Sequence, residues 1–226
     1  RSPEGDTFYM IATDLSIGGG TSWNDSQRTG SRSIEVWESH DLVNWTEQRH
    51  VVVSPETAGN TWAPEAYWDE SLGSYVVFWA SKLYAANDPS HSNGSPPNTM
   101  MYATTRDFRT FSEAKVWQDT GVSRIDSTVI EEDGTYYRFT KDEAQKYGCL
   151  DVFGESSTSL TAVTTAESGW TMGQKCIGKS AGTGAVEGPT VFKANPGDVN
   201  GEGYYLFVDE FSGRKYLPLF SPSLTQ

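Results

Sequence analysis

Three short β-forming segments, each holding one acidic residue, recur along this 226-residue chain. They are Trp62-Ala63-Pro64-Glu65-Ala66-Tyr67-Trp68, Arg124-Ile125-Asp126-Ser127-Thr128-Val129-Ile130 and Ala185-Val186-Glu187-Gly188-Pro189-Thr190-Val191. Glu65 stands 61 residues before Asp126, and Asp126 stands 61 before Glu187. Carboxyl groups set alike in consecutive repeats can converge on one axis. Gathered there, one can donate a proton while another activates water.

Such convergence needs elements that place each segment in the same way, and the chain repeats two of them. One is a turn leading into an aromatic strand: Asp6 to Ala12, Ser74 to Ala80, Gly134 to Phe139 and Gly203 to Val208. Its markers Tyr9, Tyr75, Tyr136 and Tyr204 are 66, 61 and 68 residues apart. The other is a hydroxyl residue turning into Leu or Phe, as in Ser39-His40-Asp41-Leu42-Val43-Asn44-Trp45 and Thr105-Arg106-Asp107-Phe108-Arg109-Thr110-Phe111. Weaker copies are Ser157 to Leu160 and Ser221 to Leu224. The two series interleave in constant order. A strand-and-turn period of roughly 60 residues suits one four-stranded sheet, and radial repetition of such sheets makes a propeller. A two-sheet sandwich gives no reason for a four-fold repeat in phase.

Composition sets the outer limits. With 13% aromatic residues, 22 Gly and 10 Pro, the chain is too aromatic for disorder and too rich in turn formers for a helical bundle. An all-β domain is expected. The net charge of −13 repels nucleic acid, and no basic stripe offsets it. A neutral polymer meets no such penalty. Apolar runs stop at a handful of residues, so no membrane partner is expected. Cys149 and Cys176 are compatible with one disulfide or with two buried thiols. There is no Cys/His cluster of zinc-site spacing. The opening Arg1-Ser2-Pro3-Glu4-Gly5-Asp6 is not a signal peptide.

In order and spacing, Trp62-Ala63-Pro64-Glu65, Ile125-Asp126-Ser127, Glu187-Gly188-Pro189 and the Ser39-to-Trp45 turn resemble glycoside hydrolase family 43, five-bladed propellers that trim arabinan, xylan and related side chains. The related fructan-cleaving clan has Arg-Asp-Pro and Glu-Cys strands, and neither occurs here. The resemblance implies secretion, a carbohydrate substrate, a monomer and an inverting acid/base mechanism. It makes Asp126 the carboxylate that tunes and orients, and Glu187 the general acid. The family's base lies on a strand ahead of the Tyr9 strand, so here it is expected upstream of Arg1. At about 62 residues per blade the chain amounts to roughly 3.6 blades, so residues 1–226 are expected to form one catalytic propeller domain with its first and last blades incomplete.

Glu65 and Trp62 are the substrate-binding candidates on the second blade. Glu65 could equally bind blade backbone, and Trp62 either stacks under a sugar or packs the blade. Asp14, Asp142 and Glu210 follow the aromatic strands and would rim a pocket or simply end them in solvent. The stretches Ser16 to Ser33 and Ala85 to Asn98 read as loops that shape substrate entry or as surface insertions. No cofactor or metal is expected from these residues. The family's axial calcium uses a late-blade histidine, whereas His40, His50 and His91 are all early. The competing function is a carbohydrate-binding propeller without hydrolysis.

Overall fold

A computed structural model describes residues 1–164 and 169–225. Their strands form four sheets, and the chain divides into compact units Arg1–Val116 and Trp117–Gln226. No helix among the described residues is long and apolar enough to cross a membrane.

The first unit opens with β1 (Phe8–Thr13), β2 (Ser33–Ser39) and β3 (Arg49–Val52), paired in that order. The next sheet runs β4 (Trp62–Asp69), β5 (Ser74–Lys82), β6 (Asn98–Thr105) and β7 (Lys115–Gln118). Central β5 is covered on both faces, which is why it reads as an unbroken apolar run rather than an alternation. Val77 and Trp79 pack with Ile34, Val36, Met101 and Phe108 in the unit's core. The stretch from Ser16 to Ser33 is not all loop. It contains α1 (Trp23–Arg28), whose first turn is capped by the Ser22 hydroxyl accepting from the Asp25 N–H.

The hydroxyl-and-acid repeat has a mechanical cause. Ser39 Oγ accepts from the Leu42 N–H at 2.8 Å, while Asp41 Oδ1 accepts from the Val43 and Asn44 N–H groups at 2.9 and 2.7 Å. Sixty-six residues on, Thr105 Oγ1 takes the Phe108 N–H at 3.0 Å and Asp107 takes those of Arg109 and Thr110. These bonds hold Leu42 at φ 62° and Phe108 at φ 51°, left-handed backbone that a bulky residue adopts only when its surroundings enforce it. The backbone donors also hold both aspartates below the usual carboxylate range.

The second unit carries β8 (Arg124–Glu132), β9 (Thr135–Asp142), β10 (Val152–Ser157) and β11 (Thr171–Met172), ordered β11-β10-β9-β8. Its other sheet is β12 (Glu187–Lys193), β13 (Tyr204–Glu210) and β14 (Lys215–Ser221). Edge strands β8 and β12 face each other, and the Val191 N–H reaches Thr128 Oγ1 at 3.4 Å. Apolar packing comes from Phe139, Val152, Val186, Leu206 and Val208. A short helix, α2 (Ile177–Ser180), has its first N–H groups bound by buried Asp151, at 2.9 Å from Gly178 and 2.7 Å from Lys179. Cys149 and Cys176 are disulfide-bonded with Cα atoms 5.9 Å apart, tying the loop after β9 to the start of α2.

The inner strands correct the repeat register read from sequence. Each breaks its pairing with a β-bulge, between Trp62 and Glu65, Ile125 and Ser127, and Glu187 and Thr190. Each bulge holds one residue in left-handed backbone: Ala63, Asp126 and Gly188, at φ 49°, 50° and 54°. The equivalents of Asp126 are therefore Ala63 and Gly188, 63 and 62 residues away, and Glu187 matches Trp62 and Ile125. Aligning acid with acid at 61 residues misses this, because a bulge adds backbone without adding a paired residue.

The disulfide closes a loop of 27 residues and should contribute about 3–4 kcal/mol by restricting the unfolded chain. Replacing both cysteines with serine should lower the melting temperature by roughly 6–16 °C. A calorimetric melt unchanged by the double substitution would show that the crosslink contributes nothing.

Candidate active site

Asp126 occupies the bulge of β8. Its Oδ2 accepts the Gly188 N–H at 3.2 Å, so this carboxyl rests against the backbone that presents Glu187 on β12. Both residues are partly buried, and the Glu187 side chain keeps 34% of its surface exposed. The two carboxyls are close enough to disturb each other. Asp126 is pushed up to about 6, first by burial and then by the charge of Glu187, against the pull of the Gly188 N–H and Lys141. Desolvation of the charged form is the larger of the two causes at Asp126.

Beside the pair stands a cation that sequence reasoning overlooked. Lys141, at the end of β9, has a fully buried side chain, yet its Nζ donates to Glu187 Oε2 at 3.3 Å. Glu143 Oε2 lies 3.6 Å away on a side chain that is 42% exposed, and the Phe211 ring centroid is 4.7 Å distant. In the β8–β9 ladder Lys141 pairs with Ile125, immediately before Asp126. The visible signal was the run Lys141-Asp142-Glu143 closing an aromatic strand. Its geometry could not be read without the bulge.

Other candidates fall elsewhere. Asp142 is no rim residue: it is fully buried, ion-paired with Arg124, and accepts the Tyr147 N–H at 2.9 Å. Glu210 accepts the Gly184 N–H at 2.6 Å and lies 3.9 Å from Lys215. In the first unit, Glu65 lines a cavity with Tyr9, Pro64, Tyr75 and Phe108. Trp62 meets Trp23 of α1 edge to face with centroids 6.1 Å apart, and Trp23 is 59% exposed. The stretch from Ala85 to Asn98 is ordered by Asp88, which accepts the Ser92 and Asn93 N–H groups and is held at about 2, and by His91 stacked on Tyr84. An apolar pocket in the second unit, lined by Tyr137, Phe139, Ile177, Leu206, Leu219 and Phe220, does not include the acidic pair.

Asp14, Glu35 and His50 gather their ligand-type atoms within 4.8 Å in the first unit. His50 Nδ1 is hydrogen-bonded to Glu35 Oε1 at 2.6 Å, and Gln48 Nε2 donates to the other Glu35 oxygen at 2.7 Å. Glu35 on β2 and His50 on β3 are thus bonded to each other, with Asp14, just after β1, 3.6 Å from His50. The trio does not fit the axial, late-blade histidine site that the family resemblance suggests.

The family model described as a probable glycosyl hydrolase domain, related to glycoside hydrolase family 43, matches residues 1–226. The chain belongs to this family. An α-L-arabinofuranosidase of Bifidobacterium longum subsp. longum is 39% identical over 245 residues, covering 96% of this chain and 22% of that protein. The chain thus spans under a quarter of that relative's length. Among solved structures, the α-L-arabinofuranosidase of Podospora anserina in complex with cellotriose superposes with TM-score 0.57 at 13% identity, over 98% of this chain and 62% of that one. An exo-1,5-α-L-arabinanase from a bovine ruminal metagenomic library gives 0.61 at 14% identity, over 95% and 69%. The chain is all-β, of the five-bladed β-propeller type that the family resemblance implies.

The elevated Asp126 makes stability depend on pH. Its folded value of about 6 exceeds an ordinary carboxyl, so the folded protein binds more protons across about pH 4–6. Stability contributed by this residue is lost as pH rises through that window. Asp126→Asn should therefore stabilise the protein by about 2–3 kcal/mol near neutrality and by little at about pH 4. Urea melts of both proteins at the two pH values measure the difference. A gain that does not vary with pH would contradict the burial argument.

Proposed function

We propose that this family 43 chain takes part in hydrolysing arabinose- or xylose-containing glycans by an inverting acid/base mechanism, with Glu187 as the acid and Asp126 as its tuner. The carrying observation is the juxtaposition of the two carboxyls on facing edge strands beside a buried lysine. Glu187 keeps an exposed face toward a substrate, whereas Asp126 is enclosed and tied to Gly188. That asymmetry suits an acid and its neighbour rather than two interchangeable groups.

In this reading Glu187 protonates the glycosidic oxygen as the bond to the anomeric carbon breaks. Water attacks the opposite face of the sugar, activated by a carboxylate roughly 6.5–9.5 Å from the acid. Both proton movements use carboxyl groups, so no resident cofactor is required. The arabinofuranosidase relative favours an arabinose-containing substrate. Trp62 with exposed Trp23 would offer an aromatic platform to a sugar ring, and Glu65 would bind polar substrate groups. The disulfide favours a secreted protein.

The aromatic pair also suits the second reading, a carbohydrate-binding propeller without hydrolysis. A panel of 4-nitrophenyl α-L-arabinofuranoside, β-D-xyloside and β-D-galactoside separates the two. Hydrolysis by the wild type, with a loss of roughly 10²–10⁴-fold in Glu187→Gln, is expected for the enzyme. Proton NMR of the first-formed anomer should show inversion. Unchanged activity in Glu187→Gln would remove the acid assignment, and sugar binding without turnover would favour the second reading.

A further inference from the structure

A fully buried lysine is costly unless its charge is used. The scaffold does not ask for one here. The position that faces the residue before each bulge is Ala80 on β5, Lys141 on β9 and Asp209 on β13. The same backbone thus accepts a methyl group, an ammonium or a carboxylate. What distinguishes Lys141 is its company: Glu187 from β12, Glu143 just beyond β9 and Asp126 from β8. Arg124 is engaged by Asp142, leaving Lys141 as the cation recorded on Glu187.

Resting on the acid assignment above, we propose that Lys141 is a positioning residue for catalysis, fixing the Glu187 carboxyl and stabilising the negative charge it gains when its proton passes to the leaving oxygen. The proton leaves Glu187, the bonding electron pair of the breaking C–O bond goes to the departing oxygen, and Glu187 remains as a carboxylate against the Lys141 ammonium. This favourable contact grows as the proton departs, so it lowers the barrier rather than only strengthening the resting state. Asp126 opposes it through like charge. The two neighbours therefore bracket the acid from opposite directions.

The inference is tested with Lys141→Met, Lys141→Arg and Glu187→Gln, using aryl glycosides of the hydrolysed sugar with leaving groups from 2,4-dinitrophenol to phenol. A good leaving group departs without protonation. Lys141→Met should therefore lose about tenfold or more in kcat on the phenyl glycoside, yet stay within about twofold on the dinitrophenyl one. The basic limb of its pH profile should move up by roughly one unit, because the acid is harder to ionise without the ammonium. Lys141→Arg should keep the wild-type limb. Equal losses across all leaving groups, or an unmoved limb, would assign Lys141 a structural role only. Should Lys141→Met not fold, Lys141→Gln carries the same comparison. If Glu187→Gln shows leaving-group dependence and the neutral Lys141 variants do not, this inference alone falls. If Glu187→Gln shows none, the acid assignment falls with it.

Discussion

The hydrogen bond from the Gly188 N–H to the Asp126 carboxylate joins two edge strands that share no ladder at that point. Both ends are in left-handed backbone, each partner sitting in the bulge of its own strand. Aspartate tolerates that conformation better than most side chains, and glycine adopts it at almost no steric cost. With both bulges in place, Asp126 lies against the residue that follows Glu187, and the two carboxyls are forced into each other's field. Moving either bulge by one residue would turn the adjoining side chains to the opposite face.

Electrostatic consequences follow from how few charges share this space. Lys141 contributes one positive charge, while Asp126, Glu187 and Glu143 contribute up to three negative ones. Burial makes a full complement of anions unfavourable, and it raises Asp126 more than the charge of Glu187 does. Glu187 is left the more exposed member, balanced between a carboxyl neighbour and an ammonium.

Sheet repetition was legible in sequence because its causes are local. The Ser39–Asp41 and Thr105–Asp107 turns bind their own backbone within a few residues, and the aromatic strands carry their burial pattern in their composition. Asp126 and Glu187 could be singled out because they recur on strands of one kind. Lys141 could not, since its role depends on a register set by a bulge that has no residue signature: Ala63, Asp126 and Gly188 fill equivalent places. Asp142 was misread for the converse reason. Alternation along β9 turns it to the side of Arg124, away from the carboxyl pair that Lys141 reaches.

Comparison of the three bulged strands shows how the repeat separates scaffold from chemistry. Trp62-Ala63-Pro64, Ile125-Asp126-Ser127 and Glu187-Gly188-Pro189 share one backbone device, yet the residue before the bulge is an indole, an alkyl group or an acid. Where the bulge holds Ala63, its N–H is taken by Thr13 at 2.8 Å; where it holds Gly188, by Asp126. The donor is constant and the acceptor changes from a neutral hydroxyl to a carboxylate. Substituting that single acceptor converts a structural link between strands into a site where charge is concentrated. The bulge N–H is therefore the feature from which a carboxyl pair can arise within a repeated sheet, without altering the sheet itself.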